Sequence, residues 1–115
     1  MHLEIDVVRR DGSTVLRPHG DLDHTTADRL REAVTGVLVA GDLDVVVDLQ
    51  QVDFIDSTGL GALVGGRRRA LALNGRFGLV CADDHLLRVF AVTGLDKVFA
   101  ISATVDEATG HQQAG

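Results

Sequence analysis

The chain has 115 residues, of which 45% are hydrophobic and 24% charged, with a formal net charge of −6. That supplies the core of one domain, and the negative charge disfavours DNA and anionic membrane surfaces as direct partners. Aromatic residues make up 3%, with no Trp or Tyr, which excludes an aromatic stacking platform for single-stranded nucleic acid. Leu3, Ile5 and Val7 alternate with polar residues and predict a first strand. Asp11-Gly12 is a hairpin turn signal, so Thr14-Val15-Leu16 opens a second, antiparallel strand. Pro18 cannot donate to a ladder and is expected near a strand end or facing outward, with Gly20-Asp21-Leu22-Asp23 as a loop. Thr25-Thr26-Ala27-Asp28 reads as a helix start, and Ala27, Leu30, Val34, Val37 and Leu38 form its apolar stripe up to Gly41.

Val45-Val46-Val47-Asp48-Leu49 is short and β-branched, as a buried strand should be. After it, residues 60, 63, 64 and 71 are apolar at helical spacing, which predicts a helix to about Leu73, ended by Asn74-Gly75. Ser57 is the expected N-cap of that helix. Residues 77–81 form another strand. Asp83 or Asp84 caps a helix carrying Leu86, Leu87 and Phe90 and closed by Gly94. Val98-Phe99-Ala100-Ile101 is a last short strand, and Thr104-Val105-Asp106-Glu107 has capping-box spacing for a brief final helix. The order is ββαβαβαβα, an α/β domain with one mixed sheet and helices packed against it. The domain is expected over residues 1–110, with 111–115 as a frayed tail.

The single cysteine, Cys81, allows no internal disulfide and falls in a strand-like run, as a buried structural thiol would. No apolar run approaches the roughly 20 residues of a membrane span. The N-terminus lacks a signal-peptide pattern, so a soluble cytoplasmic protein is expected. The basic run Arg67-Arg68-Arg69 falls on a helix, as a solvated face or a partner contact.

The stretch Asp56-Ser57-Thr58-Gly59-Leu60-Gly61 lies at a strand-to-helix turn and resists enzymatic readings. A nucleophile elbow needs glycine two residues before the serine, where Ile55 stands; His24 and His85 are not placed as its base by spacing. A dinucleotide fingerprint needs a third glycine where Val64 stands, and no Gly-Lys-Ser or Gly-Lys-Thr follows. Gly59 and Gly61 read instead as places where a partner or another loop approaches a helix start. Asp21, Asp23 and His24 are metal-compatible residue types but have no second cluster to complete a site. No catalytic residue, metal or cofactor is therefore expected. What remains is a serine hydroxyl beside Asp56, which an ATP-carrying enzyme could phosphorylate and which Asp21 and Asp23 would flank only if the fold brings them there; the simpler alternative is a helix cap.

Three segments carry a resemblance: Gly20-Asp21-Leu22-Asp23, then Asp56-Ser57-Thr58-Gly59-Leu60-Gly61, then Val92-Thr93-Gly94-Leu95-Asp96-Lys97-Val98-Phe99. Together they resemble the anti-sigma factor antagonists, single STAS domains of bacterial partner-switching systems, over about residues 3–109. The resemblance implies that the unphosphorylated chain binds an anti-sigma factor serine kinase and frees a sigma factor. The kinase, which binds the ATP, would phosphorylate Ser57, and a PP2C-type phosphatase would reset the switch. Asp23 matches the family's aspartate beside the phosphorylated serine, and Asp56 is the residue before it. The partner surface implied is Asp21, Asp23, His24, Asp56, Thr58, Gly59, Leu60 and Gly61, on a monomer or weak dimer that is not an enzyme. Other expectations are a STAS scaffold subunit of a stress-sensing assembly, for which the sensor domain that often precedes it is missing, or a small-ligand-binding STAS module. Pro18 and the 67–69 triplet depart from the family pattern.

Overall fold

The computed structural model describes residues 3–110. β1 (Glu4–Arg10) and β2 (Ser13–Leu22) form the antiparallel hairpin, with Val7 opposite Leu16 and Arg10 opposite Ser13. Asp11 and Gly12 both take positive φ, 54° and 84°, as a two-residue primed turn requires. Then follow α1 (Ala27–Val39), β3 (Asp44–Asp48), β4 (Val52–Ile55), α2 (Ser57–Ala72), β5 (Arg76–Val80) and α3 (Asp84–Val92). A 3₁₀ turn (Leu95–Lys97), β6 (Ala100–Ser102) and α4 (Val105–Gly110) complete the described residues. The sheet runs β1-β2-β3-β5-β6, with all pairings after the hairpin parallel, and β4 attaches to β2 off this path.

The mixed α/β sheet is as the sequence predicts, with one strand more. The sequence marks no element at β4, because four residues with one exposed apolar side chain carry almost no periodic signal. β2 is also longer than expected. Pro18 is buried in mid-strand opposite Ile5, and Gly20 to Leu22 is strand, not loop. On its other side β2 pairs with β3 as far as Leu16 and with β4 from Gly20 onward. Pro18 stands in the gap between those two ladders, where a missing N–H interrupts neither. The last strand begins at Ala100, and Val98 instead closes the 3₁₀ turn.

Helices cover the two faces of the sheet unequally. The main core packs α1 (Leu30, Val34), α2 (Leu63, Ala70) and α3 (Leu86, Phe90) against Leu16, Val45, Val47 and Leu79. Phe99 joins it edge-on to Phe90, with ring centroids 6.0 Å apart, a favoured aromatic geometry. On the opposite face Val105 and Ala108 of α4 meet Val15, Val46 and Val80. The start of α4 forms the expected capping box in a variant form: Glu107 N donates to Thr104 Oγ1 at 3.1 Å, and Glu107 Oε1 accepts from Ala103 N, one residue before the cap, at 3.0 Å. Arg10 ties β1 to α4 through Asp106.

The buried stripe of α2 differs from the expected one. Gly59, Ala62, Leu63, Gly66 and Ala70 face the core, Leu60 and Val64 are half-buried, and Leu71 is exposed. The helix sits close to the sheet, so small side chains take the inner face: a Cβ on Gly66 would meet the Phe77 ring at 3.0 Å. Cys81 is buried, and burial pushes its thiol pKa up, as suits a structural thiol. Among the described residues no helix is long and apolar enough to cross a membrane. The expected tail, 111–115, lies outside the described residues.

Candidate functional site

The site is assembled where β2 and β4 end side by side. Their parallel register sets Asp21 opposite Phe54 and Leu22 opposite Ile55, with an irregularity between Gly20 and Asp21 where Gly20 takes φ 115°. That pairing carries the 21–24 turn alongside the start of α2, although the two are more than thirty residues apart in the chain.

Asp56, not Ser57, caps α2. Asp56 has extended backbone angles, and its Oδ1 accepts from Gly59 N at 2.9 Å. The correction follows from the helix start: the capping side chain must precede the first helical residue, and Ser57 is itself that residue. Asp56 Oδ2 accepts from His24 N at 3.1 Å, with His24 Nδ1 at 3.6 Å, so one carboxylate joins both segments. Asp56 N donates to Leu22 O at 3.1 Å. The Gly59 N–H bond, followed by the contacts from His24, holds the Asp56 carboxyl below its ordinary pKa against a desolvation that pushes the other way.

The 21–24 turn is held from within. Asp23 Oδ1 accepts from Thr25 Oγ1 at 2.6 Å and from Thr25 N at 2.9 Å, and these two bonds lower the Asp23 pKa. Thr26 is buried; its hydroxyl donates to Asp21 O at 2.8 Å and accepts from Asp23 N at 2.9 Å. The sequence shows Thr25 and Thr26 only as a helix start, and the structure gives them the turn as well. Their spacing after two aspartates is that of a side-chain-locked turn.

Gly59 is required here. A Cβ at that position would stand 2.3 Å from Leu22 O, so another chain segment does approach the helix start. Gly61 meets nothing within 4 Å and needs no glycine on that account. Ser57 is exposed and Thr58 half-buried in the first turn. Asp21, Asp23, Asp56 and Leu60 are half-buried beside them, and His24 and Gly61 are exposed. The structure thus brings the expected residues to one end of the molecule. His85 lies instead in the first turn of α3, where its backbone N–H meets Asp83. No group of three or more His, Cys, Asp or Glu able to hold a metal forms among the described residues.

The fold is that of a STAS domain, whose sequence profile matches residues 4–108. An anti-sigma-B factor antagonist of Listeria monocytogenes is 30% identical over 96% of this chain and 98% of its own length. The crystal structure of an anti-sigma factor antagonist from Mycobacterium paratuberculosis superposes with a TM-score of 0.86 at 31% identity, over 96% of this chain and 93% of the other. The Bacillus cell fate determinant SpoIIAA in its phosphorylated form gives a TM-score of 0.69 at 25% identity, over 96% of this chain and 98% of the other. The chain belongs to the STAS domain family, among its anti-sigma factor antagonists.

Proposed function

We propose that this chain antagonises an anti-sigma factor and is switched off by phosphorylation of Ser57. In the unphosphorylated state it binds an anti-sigma factor that is also a serine kinase, and the sigma factor is released. The kinase supplies ATP; the Ser57 hydroxyl oxygen attacks the γ-phosphorus, ADP leaves, and the hydroxyl proton passes to a base of the kinase. A PP2C-type phosphatase restores the hydroxyl. The chain itself contributes a surface and an acceptor, not catalysis, and works in the cytoplasm as a monomer or weak dimer.

The observation that carries this reading is the division of labour at the start of α2. Asp56 makes the capping bond, which leaves the exposed Ser57 uncommitted to it. The relative that exists in a phosphorylated form supports it from outside. Phosphorylation adds roughly −1.5 to −2 charge. The free N–H groups of a helix start tolerate that charge within the domain. Under a bound partner it must be desolvated beside Asp56, whose lowered pKa keeps it ionised, and an unpaired interfacial charge costs several kcal/mol. Affinity therefore falls without refolding.

The test is to incubate the chain with an anti-sigma factor kinase and ATP and to map the phosphopeptide. Label is expected on Ser57 and absent from Ser57→Ala, which stays bound to the kinase. Label on Thr58 alone, or label persisting in Ser57→Ala, would sink the assignment.

A further inference from the structure

The arginine run that the switch leaves unused ends at Arg69, which lines an apolar groove at the far end of α2. α2 is 16 residues long, so this end lies about 24 Å from Ser57 at 1.5 Å per residue. The groove holds ≈ 300 Å³ between the last turns of α1 and α2, lined by Thr35, Leu38, Val39, Arg69, Ala72 and Leu73. Val39 is 82% exposed and Leu73 49%. The groove is small and open, so its apolar lining alone does not mark an interaction surface; what sets it apart is the charge beside it.

Charge specifies the occupant. Arg9, Arg10, Arg17 and Arg31 each reach a carboxylate, whereas Arg67, Arg68 and Arg69, like Arg29 and Arg88, form no ion pair with any described residue; the triplet differs from those two in being consecutive and in ending at the groove. It does so in a chain with 17 acidic side chains against 11 basic ones, where partners are plentiful. Arg69 sits in the last turn of α2, where the helix dipole favours a cation. That accounts for its sign and leaves its donor fork unused. Helical spacing sets Arg68 on the outward side of α2, between Arg67 and Arg69. We infer that this end of α1 and α2 docks an acidic amphipathic helix of a protein partner. Apolar side chains of that helix enter the groove, and its carboxylates meet Arg68 and Arg69. Helix-in-groove recognition of this kind needs only two or three anchors at i, i+3 and i+4. Because it lies at the opposite end of α2 from Ser57, such a partner can be held whether or not the serine is phosphorylated.

The test is an amide-shift titration of the whole chain with a synthetic amphipathic helix bearing leucines on one face and glutamates along both borders. Two control peptides replace the glutamates by lysine or the leucines by serine. Shifts are expected at residues 35–39 and 68–73, with affinity falling about tenfold or more for either control and for Arg68→Glu with Arg69→Glu. Val39→Asp should weaken binding to a similar degree. All these positions are exposed, and an unchanged thermal midpoint confirms that each variant folds. Equal binding of the lysine peptide, or shifts elsewhere, would overturn the inference. So would phosphatidylglycerol vesicles competing for the same residues, which would make the surface lipid-binding. Self-association abolished by Val39→Asp would assign the groove to a second copy and equally end the proposal.

Discussion

At the start of α2 the polar groups around Ser57 are spoken for, and its own hydroxyl stands apart: Asp56 serves Gly59 and His24, Asp23 serves Thr25, and Thr26 serves Asp21. At its other end three consecutive arginines have no ion-pair partner among the described residues, and Val39 and Leu73 meet solvent. The same helix is thus pre-organised at one end and unsaturated at the other. The difference separates two ways of making a binding surface. A switch that must respond to one added charge needs a rigid surround, so that the charge changes affinity and not shape. A docking groove needs only exposed apolar area and a sign of charge.

If the start of α2 is rigidly seated, Gly59→Ala is the variant that unseats it. Its Cβ would meet a backbone oxygen that cannot swing aside, and a cost of about 2–3 kcal/mol is expected in urea unfolding. Gly61→Ala, two residues on and open to solvent, should instead be neutral or stabilise by about 0.5–1 kcal/mol through helix propensity. Equal effects at both glycines would mean that the two segments are not locked together.

Next in size is the effect of charge at the acceptor. Ser57→Glu should weaken kinase binding about tenfold while leaving the thermal midpoint within a few degrees of the parent. A large fall in the midpoint would show that the surround yields to the charge.

Asp56→Ala should lower the midpoint by a few degrees, since both the cap and the tie to His24 are lost. Asp56→Asn separates the cap from the charge. Asparagine caps nearly as well, but it cannot titrate. The Asp56 carboxyl has a lower pKa when folded than when unfolded. Its stabilisation is therefore fully present above the unfolded value of about 3.9 and disappears as pH falls through the folded one. The parent should be more stable than Asp56→Asn at neutral pH, and the gap should close in acid. A gap that persists at the lowest pH would assign the effect to geometry.

The smallest change expected is Ser57→Ala, within about 0.5 kcal/mol of the parent in stability. A loss near the usual cap value would return the capping role to the serine.

Much of this architecture could be read from side-chain order. Asp11-Gly12 specifies its turn by local chemistry, Val45 to Leu49 its strand by burial, and Asp83 its cap by position. The cap and β4 differ from expectation for local reasons, a one-residue offset and a strand too short to show a period; the other differences depend on a neighbour distant in sequence. Pro18 fits in mid-strand only because β3 has ended and β4 has not begun. Gly59, Gly66 and Ala70 face inward because the sheet lies close. The capping carboxylate one residue before Ser57 becomes the centre of the site through β4, which lays the 21–24 turn against it. Asp56, Gly59 and the 21–24 turn were all identified as candidates, but the hydrogen bonds joining them required the missed strand.

The tie between Arg10 and Asp106, with Val105 and Ala108 lying over Val15, Val46 and Val80, bears on the timing of assembly. The hairpin and the first crossover helices can find their partners from nearby sequence as the ribosome delivers them. One face of the central strands stays bare until residues beyond 104 arrive, because its cover, Val105 and Ala108, lies far in sequence from Val15 and Val46. A nascent chain would then hold an almost complete sheet with an uncovered valine surface, and that interval is when it is most open to capture by a chaperone or to aggregation.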